Sequence, residues 1–263
     1  MKIAGETVLV TGATGGVGRV LARRLARAGA ELVLTGRDAD ALRELAEPLG
    51  ARWVAADLAD PRQVTELADA CADVRVLVAN AALPASGDLL EYTPGQIERA
   101  LAVNLGSVAL LARLLVPAMT EEGRGHLAFV GSMSGKAATP SSSLYTASKF
   151  GLRGFAHALR LDLRPAGVGV SLVQPGFVSE AGMFARTGAP LPRGARPVTP
   201  DQVAEAVLRA VEGDRGEVNI APLGLRLKCA LAVQFPSASA WLQRRAAPDD
   251  SGRLIVEAQR ALR

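Results

Sequence analysis

Residues 8–29 read VLVTGATGGVGRVLARRLARAG, and this stretch decides the fold. An apolar, β-branched run ends at a turn that contains Gly12, Gly16 and Gly18, and apolar residues then recur at helical spacing. Gly29 closes that pattern as a helix stop. The stretch therefore predicts a strand, a tight glycine turn and a helix, which together form the opening unit of a parallel α/β sheet.

Short apolar runs of the same kind recur along the chain, separated by longer segments of helical periodicity. In chain order they read VLVTG, ELVLTG, RWVAAD, RVLVAN, HLAFVGS, GVSLVQPG and EVNIAP. Strands that are apolar on both faces are typical of a parallel sheet covered by helices on both sides. We expect an α/β fold: a Rossmann-like, doubly wound parallel sheet of about seven strands, in one domain over residues 1–263. Pro61 and the triplet Thr199-Pro200-Asp201 predict the starts of two helices.

Composition and charge disfavour several functional classes. Hydrophobic residues make up 49% of the chain, which is ample for a buried core. The 30 basic and 26 acidic residues are interleaved and aromatic residues amount to 4%, so neither a basic tract nor a base-stacking surface is indicated. We expect no nucleic-acid partner.

The sequence also lacks targeting and metal-binding patterns. Cys71 and Cys229 lie far apart without a CxxC motif or a His cluster, so we expect no metal site, and Cys71 is predicted to be buried. No secretory leader is recognisable, and no uninterrupted apolar stretch reaches the roughly 18 residues of a spanning helix. A cytoplasmic protein without a transmembrane segment is expected.

Two segments depart from the α/β alternation. Residues 179–200 are rich in Gly, Pro and Arg, and we interpret them as a substrate lid, the alternative being a surface excursion without a role. Residues 222–263 form a C-terminal extension that is apolar but interrupted by Arg226, Lys228 and Pro236. For this extension we favour packing on the core or in a subunit interface over contact with a membrane surface, and Trp241 is expected to pack in the same way.

The glycine turn predicts a dinucleotide site. Glycines there let backbone N–H groups and the helix N-terminus approach a pyrophosphate, although glycine-rich turns also serve purely as turns. After the second predicted strand the chain reads LTGRD, with Gly36 at the strand tip and Arg37 next. An acid at this tip would hold the NAD ribose, whereas Gly leaves room and Arg matches the 2′-phosphate of NADP. The pattern favours NADPH over NADH; in the alternative reading Arg37 is a solvated residue and Asp38 only caps the next helix.

Further motifs follow in a fixed order. They are TGATGGVG, Asp57 in AADLAD, Asn80 in VANAA, Asn104 in VNLGS, Ser132 in VGSMSG, YTASK at 145–149 and QPGFV at 174–178. Together they resemble the short-chain dehydrogenase/reductase family over residues 5 to about 220. Two positions depart from the family pattern: Ala82 replaces the usual Gly of Asn-Ala-Gly, and Glu180 stands where a Thr often anchors the nicotinamide carboxamide.

The resemblance implies a set of cofactor contacts to the phosphates, ribose, adenine and nicotinamide. With the turn glycines and Arg37, these residues are Thr14, Gly15, Val17, Asp57, Leu58, Asn80, Ala81, Tyr145, Lys149, Pro175, Gly176 and Val178. The resemblance also implies a catalytic tetrad of Asn104, Ser132, Tyr145 and Lys149, in which Asn104 holds a water on the proton path. Ser134 is the alternative to Ser132, but the interval of 13 residues to Tyr145 favours Ser132.

The proposed chemistry needs these residue types. Carbonyl reduction by hydride leaves an alkoxide, which requires a proton donor within hydrogen-bond reach. A free Tyr has a pKa near 10, and lowering it to about 7 takes about 4 kcal/mol. Lys149 lies one helical turn after Tyr145, and a cation about 4 Å away contributes on the order of 4 kcal/mol. We therefore expect Lys149 to lower the pKa of Tyr145, while Ser132 would share the developing negative charge.

The leading interpretation is an NADPH-dependent carbonyl reductase or alcohol dehydrogenase, forming a homodimer or homotetramer as family members often do. Val178, Met183 and Phe184, around the predicted lid, favour an apolar substrate. One alternative is a catalytically silent NADPH-binding sensor or interaction protein. Another is a peripheral membrane reductase that reaches lipid-like substrates through the C-terminal extension.

Overall fold

The computed structural model describes residues 1–188, 191, 196–245 and 250–260. The remaining parts of the predicted lid and of the C-terminal extension lie outside the described residues: 189, 190, 192–195, 246–249 and 261–263.

Seven parallel strands form a single sheet in the order β3-β2-β1-β4-β5-β6-β7. They are β1 (Thr7–Thr11), β2 (Glu31–Gly36), β3 (Arg52–Ala55), β4 (Val76–Ala79), β5 (Gly125–Val130), β6 (Val168–Pro175) and β7 (Glu217–Ile220). Each overlaps one of the seven apolar runs, so the predicted doubly wound α/β sheet is confirmed.

The helices cover both faces of this sheet. They are α1 (Gly16–Arg27), α2 (Ala39–Ala46), α3 (Pro61–Asp69), α4 (Pro94–Leu101), α5 (Ser107–Glu121), α6 (Ser143–Leu163), α7 (Pro200–Glu212), α8 (Leu223–Gln234), α9 (Pro236–Arg245) and α10 (Asp250–Arg260). Alternate residues of β1 serve the two faces: Val8 and Val10 pack with α1, α2 and α7, and Leu9 packs with α3, α5 and α6. This two-sided burial is why the strands read as nearly continuous apolar runs.

Local signals set the helix boundaries. Gly29, with φ +86°, ends the α1 segment in a backbone conformation that favours glycine. Pro61 opens α3, and Thr199 caps α7 in a reciprocal arrangement with Gln202. Cys71 is fully buried, and burial raises the pKa of its thiol to about 11, which makes it inert packing.

One helical stretch among the described residues, Pro94–Glu121, is long and apolar enough by composition to span a membrane. It comprises α4, a π-helical turn at Ala102–Gly106, and α5. Leu111, Leu115 and Met119 of this stretch are buried in the core cluster beneath the sheet. The stretch thus has the environment of a core helix in a globular domain.

The strand order places a crevice at the centre of the sheet. From β1 the chain winds outward through β2 to β3 and then returns to β4 on the other side of β1. In sheets of this kind, ligands bind outside the carboxyl ends of the two strands where the winding direction reverses. The ends of β1 and β4 therefore define the position where the site is to be sought.

Candidate active site

The glycine turn after β1 is too tight for side chains. A Cβ added to Gly18 would lie 2.1 Å from the Gly12 carbonyl oxygen, and one on Gly12 would lie 2.8 Å from the Cα of Ala81. Gly12 also has φ +64°, which favours glycine. The turn brings its backbone to the N-terminus of α1, and this is the geometry that cradles a pyrophosphate.

Four hydrogen bonds between Thr11, Gly12, Asn80 and Ala81 join this turn to the end of β4. The Asn80 side-chain amide donates to the carbonyl oxygens of Thr11 at 3.1 Å and Gly12 at 3.2 Å. In return, the Thr11 hydroxyl accepts from the backbone N–H groups of Asn80 and Ala81, each at 3.0 Å. Asn80 therefore positions the turn, and Thr11, which sequence reasoning missed, is its counterpart.

The tip of β2 borders the same crevice. A Cβ on Gly36 would lie 3.1 Å from the Thr14 hydroxyl oxygen, so glycine keeps the space beside the turn open. Arg37 follows as an exposed residue, and the Asp38 carboxylate accepts from the Ala41 N–H at 3.0 Å as the cap of α2. The Asp38 carboxylate is thus occupied by this helix cap. The positive charge of Arg37 helps to lower the pKa of the Asp57 carboxyl.

Asp57, after β3, is held by two partners. Its carboxylate accepts from the Ala59 N–H at 3.0 Å and from the Arg99 guanidinium at 2.8 Å. Burial acts to raise the pKa of Asp57, but these bonds outweigh it and the pKa is lowered. Arg99 lies on α4, and no motif in the sequence predicted its contact with Asp57. Leu58 packs its side chain into the core cluster, and its predicted contact with the adenine stays a prediction.

Three members of the predicted tetrad meet at the carboxyl end of β5. Ser132 follows that strand, and its hydroxyl is hydrogen-bonded to Tyr145 and accepts from the Ser134 N–H at 3.1 Å. Lys149 is 3% exposed, donates from Nζ to the Val130 carbonyl oxygen at 3.2 Å, and lies 5.8 Å from the Tyr145 ring centroid. The structure therefore places a hydroxyl, a phenol and an ammonium group side by side.

Burial dominates the electrostatics of this group. Burial raises the pKa of Tyr145, and only the hydrogen bond with Ser132 opposes it. Burial also lowers the pKa of Lys149 to about 8, since a charged ammonium is costly away from water. These shifts do not test the prediction that Lys149, together with a bound oxidised nicotinamide, lowers the pKa of Tyr145, and it stays a prediction. At neutral pH Tyr145 is a protonated phenol and Lys149 is a cation.

Asn104 lies in the π-helical turn and is 1% exposed. Its side-chain oxygen accepts from the Leu83 N–H at 2.6 Å, and its amide donates to the Leu83 carbonyl oxygen at 3.0 Å. Isolated π turns occur frequently at functional sites, yet no sequence signal predicted this one. The Asn104 side chain thus holds the loop that follows β4, and its predicted role in binding a water stays a prediction.

The chain beyond β6 lies against the glycine turn. Val178 bridges to Val198, and the Gly176 N–H donates to the Ile220 carbonyl oxygen at 2.8 Å. A Cβ on Gly16 would lie 2.6 Å from the Cβ of Ala181, so the described start of the predicted lid borders the crevice. Glu180, where a Thr was usual, is exposed with φ +64°.

A charge cluster lies further along α6 from Tyr145 and Lys149. Glu217, from β7, is ion-paired with Lys136 and with Arg153 at 2.9 Å, and is hydrogen-bonded to His157 Nε2 at 2.8 Å. Burial acts to raise the pKa of Glu217, but the bonds to these partners lower it to about 2. Arg153 and His157 follow Lys149 at four-residue steps, so the cluster ties the Tyr145 helix to the edge strand. The sequence showed these residues only as scattered charges.

A switch-point crevice with a glycine cradle, flanked by Ser, Tyr and Lys, defines a nicotinamide-dependent dehydrogenase or reductase. A family model described as short chain dehydrogenase matches residues 6–190. The chain belongs to the short-chain dehydrogenase/reductase family, and the resemblance seen in the sequence is thereby confirmed.

Similar proteins cover most of the chain. A ketoacyl reductase of Nostoc sp. is 34% identical over 225 residues, which is 82% of this chain and 78% of the relative. The 1-deoxy-11-beta-hydroxypentalenate dehydrogenase of Streptomyces exfoliatus is 37% identical over 230 residues, 82% of each chain. The structure of a short-chain dehydrogenase from Sphingobium yanoikuyae in complex with NADPH has a TM-score of 0.75 and 30% identity, covering 93% of this chain and 99% of its own.

Proposed function

We propose that this protein is an NADPH-dependent reductase of apolar carbonyl compounds, with Tyr145 as the proton donor. One observation carries the proposal: Ser132, Tyr145 and Lys149 converge beside the glycine cradle, with Tyr145 held as a neutral phenol by burial. A protonated phenol is suited to protonating an alkoxide, which is the reduction direction.

The crevice fits a phosphorylated dinucleotide. Gly12 and Gly18 occupy positions that a Cβ would fill, which leaves backbone N–H groups free to approach a pyrophosphate. At the tip of β2, Gly36 and the exposed Arg37 provide room and a planar cation for a 2′-phosphate. NADPH, when bound, would supply the hydride; the related structure from Sphingobium yanoikuyae holds NADPH, which supports this choice.

Side chains of the protein supply the proton and stabilise the charges that form during the reaction. Tyr145 donates its phenolic proton to the substrate oxygen, and the Ser132 hydroxyl donates a hydrogen bond to the same oxygen. Lys149, charged at neutral pH, offsets the negative charge left on the phenolate. Asn104 keeps the loop after β4 in place through its paired bonds to Leu83.

The surroundings of Tyr145 favour an apolar substrate. Tyr145 packs against a small apolar cluster that includes Tyr92, Ile97 and Leu144. Phe177 and Phe184 form an edge-to-face pair with ring centroids 5.0 Å apart, and Phe184 belongs to the described start of the predicted lid. Such walls bind substrates mainly through the burial of apolar surface.

The test is Tyr145→Phe, with Tyr92→Phe as a matched control because these are the chain's two tyrosines. NADPH oxidation is followed with a panel of ketones and aldehydes, and NADPH affinity is measured by fluorescence titration. Loss of the donor should lower kcat by at least about 100-fold with an NADPH Kd within about twofold of wild type. Tyr92 donates to the Ser86 carbonyl oxygen, and its phenylalanine variant keeps the ring in the apolar cluster, so its kcat should fall far less than that of Tyr145→Phe.

Two results would count against the proposal. Undiminished turnover by Tyr145→Phe would remove the proton-donor role. Tight NADPH binding by the wild-type protein without turnover of any carbonyl compound would favour the alternative of a silent sensor.

A further inference from the structure

Helices α8 and α9 expose a row of large apolar side chains. Their exposed fractions range from 51% to 67%, so the described part of the chain leaves them largely uncovered. Of our two expectations for this segment, core packing or subunit-interface packing, these side chains do not follow the first. We call this set the C-terminal apolar face: Leu223, Leu227, Leu231, Phe235, Trp241 and Leu242.

The face has a defined orientation on α8. Leu223, Leu227 and Leu231 recur every four residues and form one outward stripe. Cys229 is the one buried residue of α8 and lies on the opposite side. At about 100° per residue, Arg226 and Lys228 project to either side of the stripe, roughly 100° from its centre at Leu227. A cation therefore borders each edge of the apolar stripe.

The charge of this region has one sign. Residues 222–245 contain Arg226, Lys228, Arg244 and Arg245 and no Asp or Glu. In the described part of the chain, none of these four cations forms an ion pair with an acid. The Arg245 guanidinium instead lies over the Trp241 ring at 4.1 Å from its centroid. Long cationic side chains and Trp are both found at membrane interfaces, where the apolar part of each side chain is buried and the polar end stays in water.

We propose that the C-terminal apolar face binds the surface of a membrane that contains anionic lipids. Apolar side chains would enter the boundary between headgroups and acyl chains, while the four cations would meet lipid phosphates. A second copy of this chain is a poorer occupant, because a two-fold interface through this face would bring four cations against four others.

The face lies at the same end of the sheet as the active site. A Cβ on Gly176, after β6, would lie 3.5 Å from Leu225 on the inward side of α8. Gln243 of α9 donates to the Ala138 carbonyl oxygen at 3.1 Å, in the segment between Ser132 and Tyr145. If the proposed reductase activity holds, a docked enzyme would meet carbonyl compounds dissolved in the lipid; the docking itself does not depend on turnover.

Flotation of the full chain with two kinds of vesicle tests the proposal. One kind contains phosphatidylcholine alone, and the other contains phosphatidylcholine with about 30 mol% phosphatidylglycerol. We expect wild-type protein to float with the anionic vesicles and at least tenfold less with neutral ones, and the bound fraction to fall in 0.5 M NaCl. Arg226→Gln with Lys228→Gln should weaken binding about 25-fold, at roughly fivefold for each cation.

A neutral polar substitution separates the apolar contribution from the charge. Leu227→Gln with Leu231→Gln should weaken binding at least tenfold. The matched control is Leu161→Gln: Leu161 is 72% exposed, but it lies 16 residues along α6 from Tyr145, about 24 Å away at the opposite end of the sheet. This control should bind vesicles as wild type does.

Three results would overturn the proposal. In the first, the wild-type protein does not bind vesicles at low salt. In the second, the Leu161 control loses as much binding as the Leu227/Leu231 variant. In the third, the wild type does not bind vesicles, and the Leu227/Leu231 substitutions convert an oligomer to a smaller species in size-exclusion chromatography. Parallel assays with a water-soluble ketone keep the two proposals apart. Vesicle binding without turnover would refute only the reductase activity, and turnover without vesicle binding would refute only the docking.

Discussion

Lys149 is a site where the proposed function costs stability. The side chain is 3% exposed, and its one hydrogen bond to the described residues joins Nζ to the Val130 carbonyl oxygen. Replacing it with methionine keeps the length and volume of the side chain but removes the buried ammonium group. We therefore predict that Lys149→Met abolishes turnover and at the same time stabilises the fold near neutral pH.

The magnitude follows from the pKa of Lys149. A fall from 10.5 to about 8 corresponds to about 3 kcal/mol of destabilisation at pH 7. The methionine variant also loses the hydrogen bond to Val130, which costs about 1 kcal/mol, so its net gain in the free energy of unfolding is about 2 kcal/mol. Between pH 8 and 10.5 the unfolded chain binds more protons than the folded one, so the penalty is fully present below about pH 8 and is relieved as pH rises toward 10.5.

Urea unfolding of wild type and Lys149→Met at pH 7 and pH 9.5 measures this difference. The variant's advantage should shrink from about 2 kcal/mol at pH 7 to less than about 1 kcal/mol at pH 9.5, because by then folded Lys149 has lost its proton and the penalty for burying an ammonium group is largely relieved. A destabilised variant at pH 7, or an advantage that does not change with pH, would refute the reasoning.

Three further substitutions test other parts of the structure. Arg37→Asp should reverse the preference for NADPH over NADH in kcat/KM, and an unchanged preference would mean that Arg37 does not contact the 2′-phosphate. Gly18→Ala places a Cβ where 2.1 Å separates it from the Gly12 carbonyl oxygen, so NADPH affinity should fall at least tenfold in fluorescence titration; wild-type affinity would argue against the cradle. Glu217→Gln should cost about 3 kcal/mol in urea unfolding at pH 7, because the pKa of Glu217 is lowered to about 2, and this cost should disappear as pH falls from 4.5 to 2. A cost that persists at pH 2 would assign it to packing instead of charge.

Local patterns in the sequence determined the fold class and the position of the crevice. Each of the seven apolar runs became a strand, and Gly29, Pro61 and Thr199 marked helix boundaries where the structure has them. These features depend on residues close together in the chain, such as side chains that alternate along a strand or a cap within one turn. The same local reading placed Ser132 at a strand end and Lys149 one turn after Tyr145.

Only the tertiary structure decided the properties that depend on distant neighbours. The sequence showed Tyr145 beside Lys149, but burial of both side chains, set by packing of the whole domain, raises the first pKa and lowers the second. Likewise, Asn80 and Thr11 are 69 residues apart and become partners because β1 and β4 are adjacent in the sheet. The apolar run from Leu223 was expected to pack on the core or in a subunit interface, since its composition does not distinguish a covered helix from an exposed one. Exposure depends on what the rest of the chain places above a surface, and for the C-terminal apolar face the described chain leaves it open.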